Sequence, residues 1–128
     1  MKIYIAGPMR GCPNWNFEAF DRAKIVWERG GHQVFSPAGV DRALGYSQGQ
    51  HENNHTGLRH VITMDVACIC ASDYIGLLSG WEHSSGATVE VALAQFLDLP
   101  VYDAITMEKI SLDVNPWGHL RGRISEQS

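Results

Sequence analysis

Short apolar segments rich in β-branched residues alternate with helical segments along this chain, and that alternation constrains the fold more than any other feature. The first segment, Lys2–Ala6, stops at a Gly-Pro pair and is typical of a buried strand. Further strands are predicted at residues 33–36, 73–78 and 100–102. Strands that alternate with helices form a parallel sheet with helices on both faces. The pattern therefore predicts an α/β fold.

Helices are predicted in three of the intervening segments: from Asn14 or Asn16 to about Arg29, over residues 58–71, and over the segment that carries Glu90. Residues 38–57 are polar and Gly-rich without periodicity, so they are predicted to form a long loop of the kind that often serves as a lid or binding loop. Residues 80–86 are predicted to be a loop as well. Residues 1–128 are expected to form one domain, with a frayed tail after residue 123.

The charge and the cysteine content indicate which partners and which compartment to expect. A formal net charge of −4 gives no basic surface, so nucleic acid is not an expected partner. Three cysteines without a CxxC pair suit a reducing compartment, and a cytoplasmic protein is expected. No run approaches the ~20 apolar residues that span a membrane, and the N-terminal run is too short for a signal peptide.

Glu90 lies on the apolar face of its predicted helix. Leu93, Ala94 and Leu97 follow it at helical spacing, and Ala87 precedes it by three residues. A carboxylate on such a face is costly unless it is paired, and burial usually raises its pKa. The position therefore indicates either a functional carboxylate or a structural ion pair.

The Ser84-Ser85-Gly86 segment stands where this helix begins. Free backbone N–H groups, the helix dipole and two hydroxyls at such a position favour a phosphate or a carboxylate. The alternative is that Ser84 or Ser85 simply caps the helix. An anion site here would lie about one turn from Glu90, on the same element.

A second loop, Gly7-Pro8-Met9-Arg10, follows the first predicted strand. Glycine allows a ligand to approach the backbone, and arginine can pair with an anion or stack on a ring. The alternative is a tight strand-to-helix turn. In parallel sheets ligands bind beyond the carboxyl ends of the strands, which brings this loop, residues 80–86 and the loop after Pro37 to one rim.

Other acidic and aromatic residues are weaker candidates. Asp65 shares a helical face with Leu58, Val61, Ile62 and Ile69, which indicates either a second functional acid or an acid at the edge of that face. The further substrate-binding candidates are Asp73, Gly80 and Trp81. Asp73 could instead satisfy a local turn, and Trp81 could instead pack in the core.

Residues 51–55, His-Glu-Asn-Asn-His, match the HExxH pattern of zinc hydrolases. That chemistry needs both histidines on one face of a regular helix and a third ligand. No apolar stripe accompanies His51 and His55, so a polar loop is favoured and no metal is predicted. A zinc hydrolase remains a remote alternative.

Several segments together resemble small phage and bacterial proteins of the nucleoside 2-deoxyribosyltransferase-like superfamily, over roughly residues 1–102. The segments are MKIYIAGPMRG at 1–11, NWNFEAF at 14–20, GHQVFSPA at 31–38, ASD at 71–73, LSGWE at 78–82 and SSGATVE at 84–90. The resemblance implies a flavodoxin-like or Rossmann-like three-layer fold with a four- to five-stranded parallel sheet. It also implies a homo-oligomer, with subunits that complete each other's sites. No cofactor is predicted.

The resemblance further implies cleavage of the N-glycosidic bond of a nucleoside or nucleoside 5′-monophosphate, by hydrolysis or by deoxyribosyl transfer. Its residue correspondences are Glu90 as the catalytic glutamate, Ser84 and Gly86 at the 5′-phosphate, Gly7, Met9 and Arg10 around the base and sugar, and Asp65 near the base. No tyrosine follows the first strand, where transferases of the family carry one; Pro8 and Met9 stand there instead.

The sequence therefore supports two functions from different classes. The first is an N-glycosidase or deoxyribosyltransferase with Glu90 as nucleophile and Asp65 assisting the leaving base. The second is a non-catalytic nucleotide-binding accessory protein. Both bind a small nucleotide or nucleoside, and they differ in whether free base is released.

Overall fold

The computed structural model describes residues 1–44 and 55–112. Its strands are β1 (Lys2–Ala6), β2 (Gln33–Phe35), β3 (Tyr74–Leu77), β4 (Val101–Asp103) and β5 (Lys109–Ile110). Its helices are α1 (Phe17–Arg29), α2 (Pro37–Ala43), α3 (His55–Cys70) and α4 (Ser85–Phe96), with short 3-10 turns at Pro13–Asn16 and Trp81–His83. Within these residues no helix is long and apolar enough to cross a bilayer.

The strands form one sheet in the order β2-β1-β3-β4-β5, and the first four strands are parallel. This arrangement confirms the predicted α/β fold of the flavodoxin-like or Rossmann-like type. The sheet departs from the predicted parallel arrangement at one edge only, where the added strand β5 pairs with β4 in the antiparallel sense. Only a few residues connect β4 to β5, and a parallel pair needs a crossover of about a dozen residues or more.

Alternate side chains of β1 enter two cores, one on each face of the sheet. Ile3 and Ile5 pack with α1, while Tyr4 and Ala6 pack with α3 and α4. Successive side chains of a strand point to opposite faces, so a strand apolar at every position must be covered on both sides. The result is the three-layer arrangement in which β1 and β3 occupy the centre of the sheet.

Helix α2 lies where the sequence predicted the start of a long loop. Ser36 caps it, with its Oγ accepting a hydrogen bond from the Gly39 N–H at 3.0 Å, and Pro37 occupies the first helical position. The guanidinium of Arg42 donates to both carboxylate oxygens of Asp21 on α1, at 2.6 and 3.0 Å. The loop prediction was therefore wrong for residues 38–43. A helix of seven residues that includes a glycine is too short to show a helical period.

One of the two predicted caps of α1 is absent from the structure. Asn16 occupies the position before α1 but does not cap it, since its backbone is left-handed and its Nδ2 donates to the Pro8 carbonyl at 2.9 Å. That contact ties the start of α1 to the loop after β1.

Within the predicted loop at residues 80–86, residues 81–83 form a 3-10 turn. The predicted frayed tail after residue 123 lies outside the described residues.

Candidate active site

A cavity of about 360 Å³ lies beyond the carboxyl ends of β1 and β3. Three parts of the chain line it: the loop after β1 (residues 7–10), the facing sides of α2 and α3, and the first turns of α4 together with His83 and Ser84, which precede that helix. The volume is at the lower end of the range for small-molecule sites, which is ~300–1,000 Å³. The cavity is therefore of a size for one small molecule.

Glu90 faces this cavity from α4 and receives a short hydrogen bond from the Tyr4 hydroxyl. Tyr4 is fully buried in β1, which pairs with a strand on each side, so packing holds the donor in place. Burial, followed by the charge of Glu90, raises the pKa of Tyr4 well above its usual value, which keeps the hydroxyl protonated as a donor.

Burial raises the pKa of Glu90 to about 7, and the hydrogen bond from Tyr4 acts in the opposite direction. Among the described residues Glu90 has no cationic partner within salt-bridge distance, so the structural ion pair that the sequence left open is not formed there. The carboxylate therefore faces the cavity with one hydroxyl donor to orient it.

Asp65 faces the same cavity from α3, and its side chain is almost fully buried at 4% exposure. Burial, then the negative charges of Glu90 and Asp41, raises its pKa to about 8. At neutral pH Asp65 therefore holds its proton for most of the time. Because Glu90 and Asp65 influence each other, the two carboxyl groups titrate as a pair.

Asp41 is the third acid that lines the cavity, and it comes from α2. It is fully buried. Its position on a helix that the sequence did not predict explains why it was missed as a site residue. An acid at this place raises the proton affinity of Asp65 through like-charge repulsion.

The first turn of α4 contributes Ser84, Ser85 and Gly86 to the cavity wall. Ser84 caps the helix, with its Oγ accepting from the Ala87 N–H at 3.2 Å. Ser84 therefore has the capping role that the sequence left open as an alternative. The N–H groups of Ser85 and Gly86 have no acceptor among the described residues. Two backbone donors at a helix N-terminus remain available to an anion.

The loop after β1 lines the cavity with Gly7, Pro8, Met9 and Arg10, as predicted for a ligand loop. Gly7 also has a packing reason, because a Cβ built there would lie 2.7 Å from the Leu78 Cβ. Its lack of a side chain lets the loop cross directly over the end of β3.

Three predicted binding residues do not line the cavity. Asp73 precedes β3 at the opposite, amino edge of the sheet, where its carboxylate accepts from the Lys2 N–H at 2.8 Å. Gly80 adopts a left-handed conformation that starts a 3-10 turn, and Trp81 packs against the core shared by α3 and α4. The sequence placed Asp73 wrongly because a residue before a strand and one after it lie at opposite edges of the sheet.

Besides Asp41, sequence reasoning missed Tyr4 and His83 as site residues. A tyrosine within a buried strand is a usable signal, since its hydroxyl needs a hydrogen-bond partner inside the protein. The tyrosine sought after the strand is absent, and the hydroxyl that reaches Glu90 comes from within the strand. His83 is exposed and carried no pattern. The histidines of the HExxH match at residues 51–55 lie outside the described side chains.

Comparison with known proteins establishes the fold and the family. The solved structure of a 2-deoxyribosyltransferase from the psychrotolerant bacterium Bacillus psychrosaccharolyticus, described as a biocatalyst for synthesis of antiviral and antitumoral nucleosides, superposes with a TM-score of 0.63. The match covers 94% of this chain and 90% of that chain at 19% identity, a level that shows a shared fold. No curated protein sequence matches. Residues 1–103 match the family described as "Domain of unknown function (DUF4406)", and the chain belongs to that family.

Proposed function

We propose that this protein is an enzyme that cleaves the N-glycosidic bond of a deoxynucleoside or nucleoside, or of its 5′-monophosphate, with Glu90 as the nucleophile. The observation that carries the proposal is the Glu90 carboxylate, which faces a nucleoside-sized cavity and receives a hydrogen bond from the buried Tyr4 hydroxyl. The shared fold of the Bacillus 2-deoxyribosyltransferase supports it, since that protein is named for deoxyribosyl transfer.

The spacing along α4 supports a particular orientation of the substrate. Gly86 and Glu90 are four residues apart, which corresponds to about 6 Å along the helix axis. A phosphate or 5′-hydroxyl bound at the N–H groups of Ser85 and Gly86 would leave the sugar lying along the first turn. Its anomeric carbon C1′ would then stand above the carboxylate of Glu90.

In the first step a Glu90 oxygen forms a bond to C1′ as the bond from C1′ to the base nitrogen breaks. The transition state carries positive charge on the sugar, which the carboxylate stabilises. The electron pair of the broken bond passes to the base, which takes the proton held by Asp65. The products are free base and a glycosyl ester of Glu90.

In the second step a water molecule or a second base attacks C1′ and displaces Glu90 as a carboxylate. The attacking group transfers its proton to Asp65, which returns the site to its starting state. Water gives hydrolysis and a second base gives transfer, and the two outcomes use the same residues. Assembly into a homo-oligomer remains a prediction of the family resemblance.

The test is a screen of nucleosides, deoxynucleosides and their 5′-monophosphates for release of free base, each with and without a second base. We expect one group of substrates to be cleaved by the wild type, and cleavage to fall by at least ~1,000-fold in Glu90→Gln, because removing the nucleophile removes the covalent route. Glu82→Gln is the matched control, since this exposed acid lies outside the cavity.

A lack of base release from every substrate would overturn the enzymatic proposal. The non-catalytic alternative has a different signature. In that case nucleotides would raise the melting temperature of the wild type and of Glu90→Gln alike, with no turnover by either protein.

A further inference from the structure

Residues 14–16 lie in the turn between the loop after β1 and helix α1, and all three have a left-handed backbone, with φ values of 51°, 55° and 61°. Residues other than glycine adopt this conformation singly, and asparagine does so more readily than most. A run of three that includes Trp15 is therefore unfavourable on local grounds. A strained run of this kind persists where contacts with the rest of the fold hold it in place, often beside a ligand site.

A side-chain hydrogen bond connects this turn to the wall of the cavity. The Nδ2 atom of Asn16 donates to the Pro8 carbonyl at 2.9 Å in a part-buried position, and Pro8 lines the cavity while Asn16 does not. Backbone bonds of the same segment join residues close together in the chain, as from the Cys12 N–H to the Met9 carbonyl at 3.2 Å. The Asn16 amide therefore joins the left-handed turn to the loop of residues 7–10.

The hydrogen bond fixes the orientation of a peptide group in the cavity wall. The bond between Pro8 and Met9 is planar and trans, so its N–H points away from the carbonyl that Asn16 holds. The ring of Pro8 restricts the backbone on the other side of the same residue. Pro8 and Met9, both of which line the cavity, are thus held in one arrangement by a residue outside it.

Two properties of asparagine meet at position 16. The residue tolerates a left-handed backbone, and its amide carries an N–H donor. Glycine satisfies this backbone at no steric cost but has no donor. Aspartate has nearly the same shape, but its carboxylate only accepts hydrogen bonds and would face the Pro8 carbonyl with a negative charge. Substitution by these two residues therefore separates the conformation of the turn from the contact with Pro8.

We propose that Asn16 is a positioning residue of the candidate active site. The left-handed turn directs its amide to the Pro8 carbonyl, and this contact holds the loop of residues 7–10 in the arrangement that binds the ligand. The inference rests on the proposed function for the class of ligand, a nucleoside or its 5′-monophosphate. It adds to that site a residue that determines binding without touching the substrate.

Hydrogen exchange measured by mass spectrometry tests the effect on the loop. In Asn16→Gly we expect the amides of residues 9–12 to exchange at least ~5-fold faster than in the wild type, a change of the size that loss of one hydrogen bond produces. The amides of α1 should keep their protection, because glycine suits the left-handed turn. Asn14→Gly is the matched control, since Asn14 is exposed and has the same left-handed backbone.

Isothermal titration calorimetry tests the effect on the ligand. The probes are the four common 2′-deoxynucleoside 5′-monophosphates, and each variant carries Glu90→Gln so that no turnover occurs. For the probe that binds most tightly, Asn16→Gly and Asn16→Asp should each raise the dissociation constant at least ~5-fold, and Asn14→Gly should leave it unchanged. A melting temperature within about 5 °C of the parent verifies the fold. Should Asn16→Gly unfold, Asn16→Asp decides the outcome in both measurements.

Exchange of residues 9–12 at the wild-type rate would overturn the proposal, and so would unchanged binding by the folded variants, unfolding of both variants, or no binding of any probe. Failure of the inference can be told from failure of the proposed function. Base release by the wild type and by Asn16→Gly with the same kcat/KM would contradict the inference alone. Faster exchange and weaker binding in Asn16→Gly, with no base release by the wild type, would contradict the proposed enzyme alone.

Discussion

The contact between Tyr4 and Glu90 joins two residues that are 86 positions apart in the chain. The hydroxyl comes from a buried strand and the carboxylate from the apolar face of a helix, so neither side chain has much freedom to move. The hydrogen bond favours the ionised form of Glu90, while burial opposes it. Burial has the larger effect, since the pKa of Glu90 is raised to about 7. The balance of the two effects sets the fraction of Glu90 that is ionised, and so able to attack, at neutral pH.

Replacement of Tyr4 by Phe tests this balance. Without the hydroxyl the pKa of Glu90 should rise further, so the acidic limb of the pH–rate profile should move to higher pH. At pH 7 we expect kcat/KM to fall ~10-fold or more, the loss typical of a hydrogen bond to a charged group. Tyr74→Phe is the matched control, because Tyr74 packs in an aromatic cluster with Tyr102. An unchanged acidic limb would contradict the role given to Tyr4.

The raised pKa of Asp65 predicts that the free energy of unfolding depends on pH. Its pKa is raised from 3.8 to about 8 in the folded protein, so the folded state holds this proton more tightly than the unfolded state does. The stability contributed by this proton is fully present below about pH 4 and is lost as the pH rises through about 8. Asp65→Asn cannot ionise and should escape that loss.

Urea unfolding at pH 5 and pH 9 measures the effect. The free energy of unfolding of Asp65→Asn, relative to that of the wild type, should increase by about 2 kcal/mol or more between the two pH values. Glu90→Gln should change in the same direction, because burial also raises the pKa of Glu90. The same difference at both pH values would show that Asp65 is not held in its protonated form.

At the scale of elements, the start of α4 combines a structural role with a predicted ligand role. Ser84 supplies the cap, and Ser85 is exposed on the first helical turn. The two serines were equivalent candidates in the sequence. The structure separates them, because only the Ser84 side chain accepts a hydrogen bond from the helix backbone within the described residues.

This difference predicts unequal effects of two similar substitutions. Ser84→Ala should lower the free energy of unfolding by about 1 kcal/mol, the usual cost of losing a cap. Ser85→Ala should change it by less than about 0.5 kcal/mol, as for other exposed positions. Denaturant unfolding measures both. If the start of α4 binds a phosphate, both variants should also bind a nucleoside 5′-monophosphate more weakly than the wild type does.

At the scale of the whole molecule, the cavity exists because the loop after β1 crosses closely over the end of β3. Gly7 permits this crossing, since a Cβ there would lie 2.7 Å from the Leu78 Cβ and 2.9 Å from its Cδ1. Gly86, on the facing wall, has no atom within 4 Å of such a Cβ. Packing within the described residues therefore requires glycine at position 7 but not at position 86.

Alanine at each position separates packing from ligand binding. Gly7→Ala should destabilise the fold by about 1–3 kcal/mol, the usual cost of overpacking, and should displace the loop from Leu78. Gly86→Ala should leave stability unchanged or raise it by up to about 1 kcal/mol, because alanine is the better helix former. It should still weaken substrate binding, since the methyl group occupies cavity space. A wild-type KM in Gly86→Ala would place the substrate elsewhere.

The sequence by itself determined the class of fold and the helix that carries Glu90, because strand and helix periods and turn residues are local signals. It also identified the Gly7–Arg10 and Ser84–Gly86 segments, which line the cavity. Only the tertiary structure decided that Tyr4 meets Glu90, that Asp41 and Asp65 face the same cavity, and that Asp73 lies at the far edge of the sheet. These facts depend on strand order and on the packing of α2 and α3, which bring together residues distant in the chain and leave no local pattern in it.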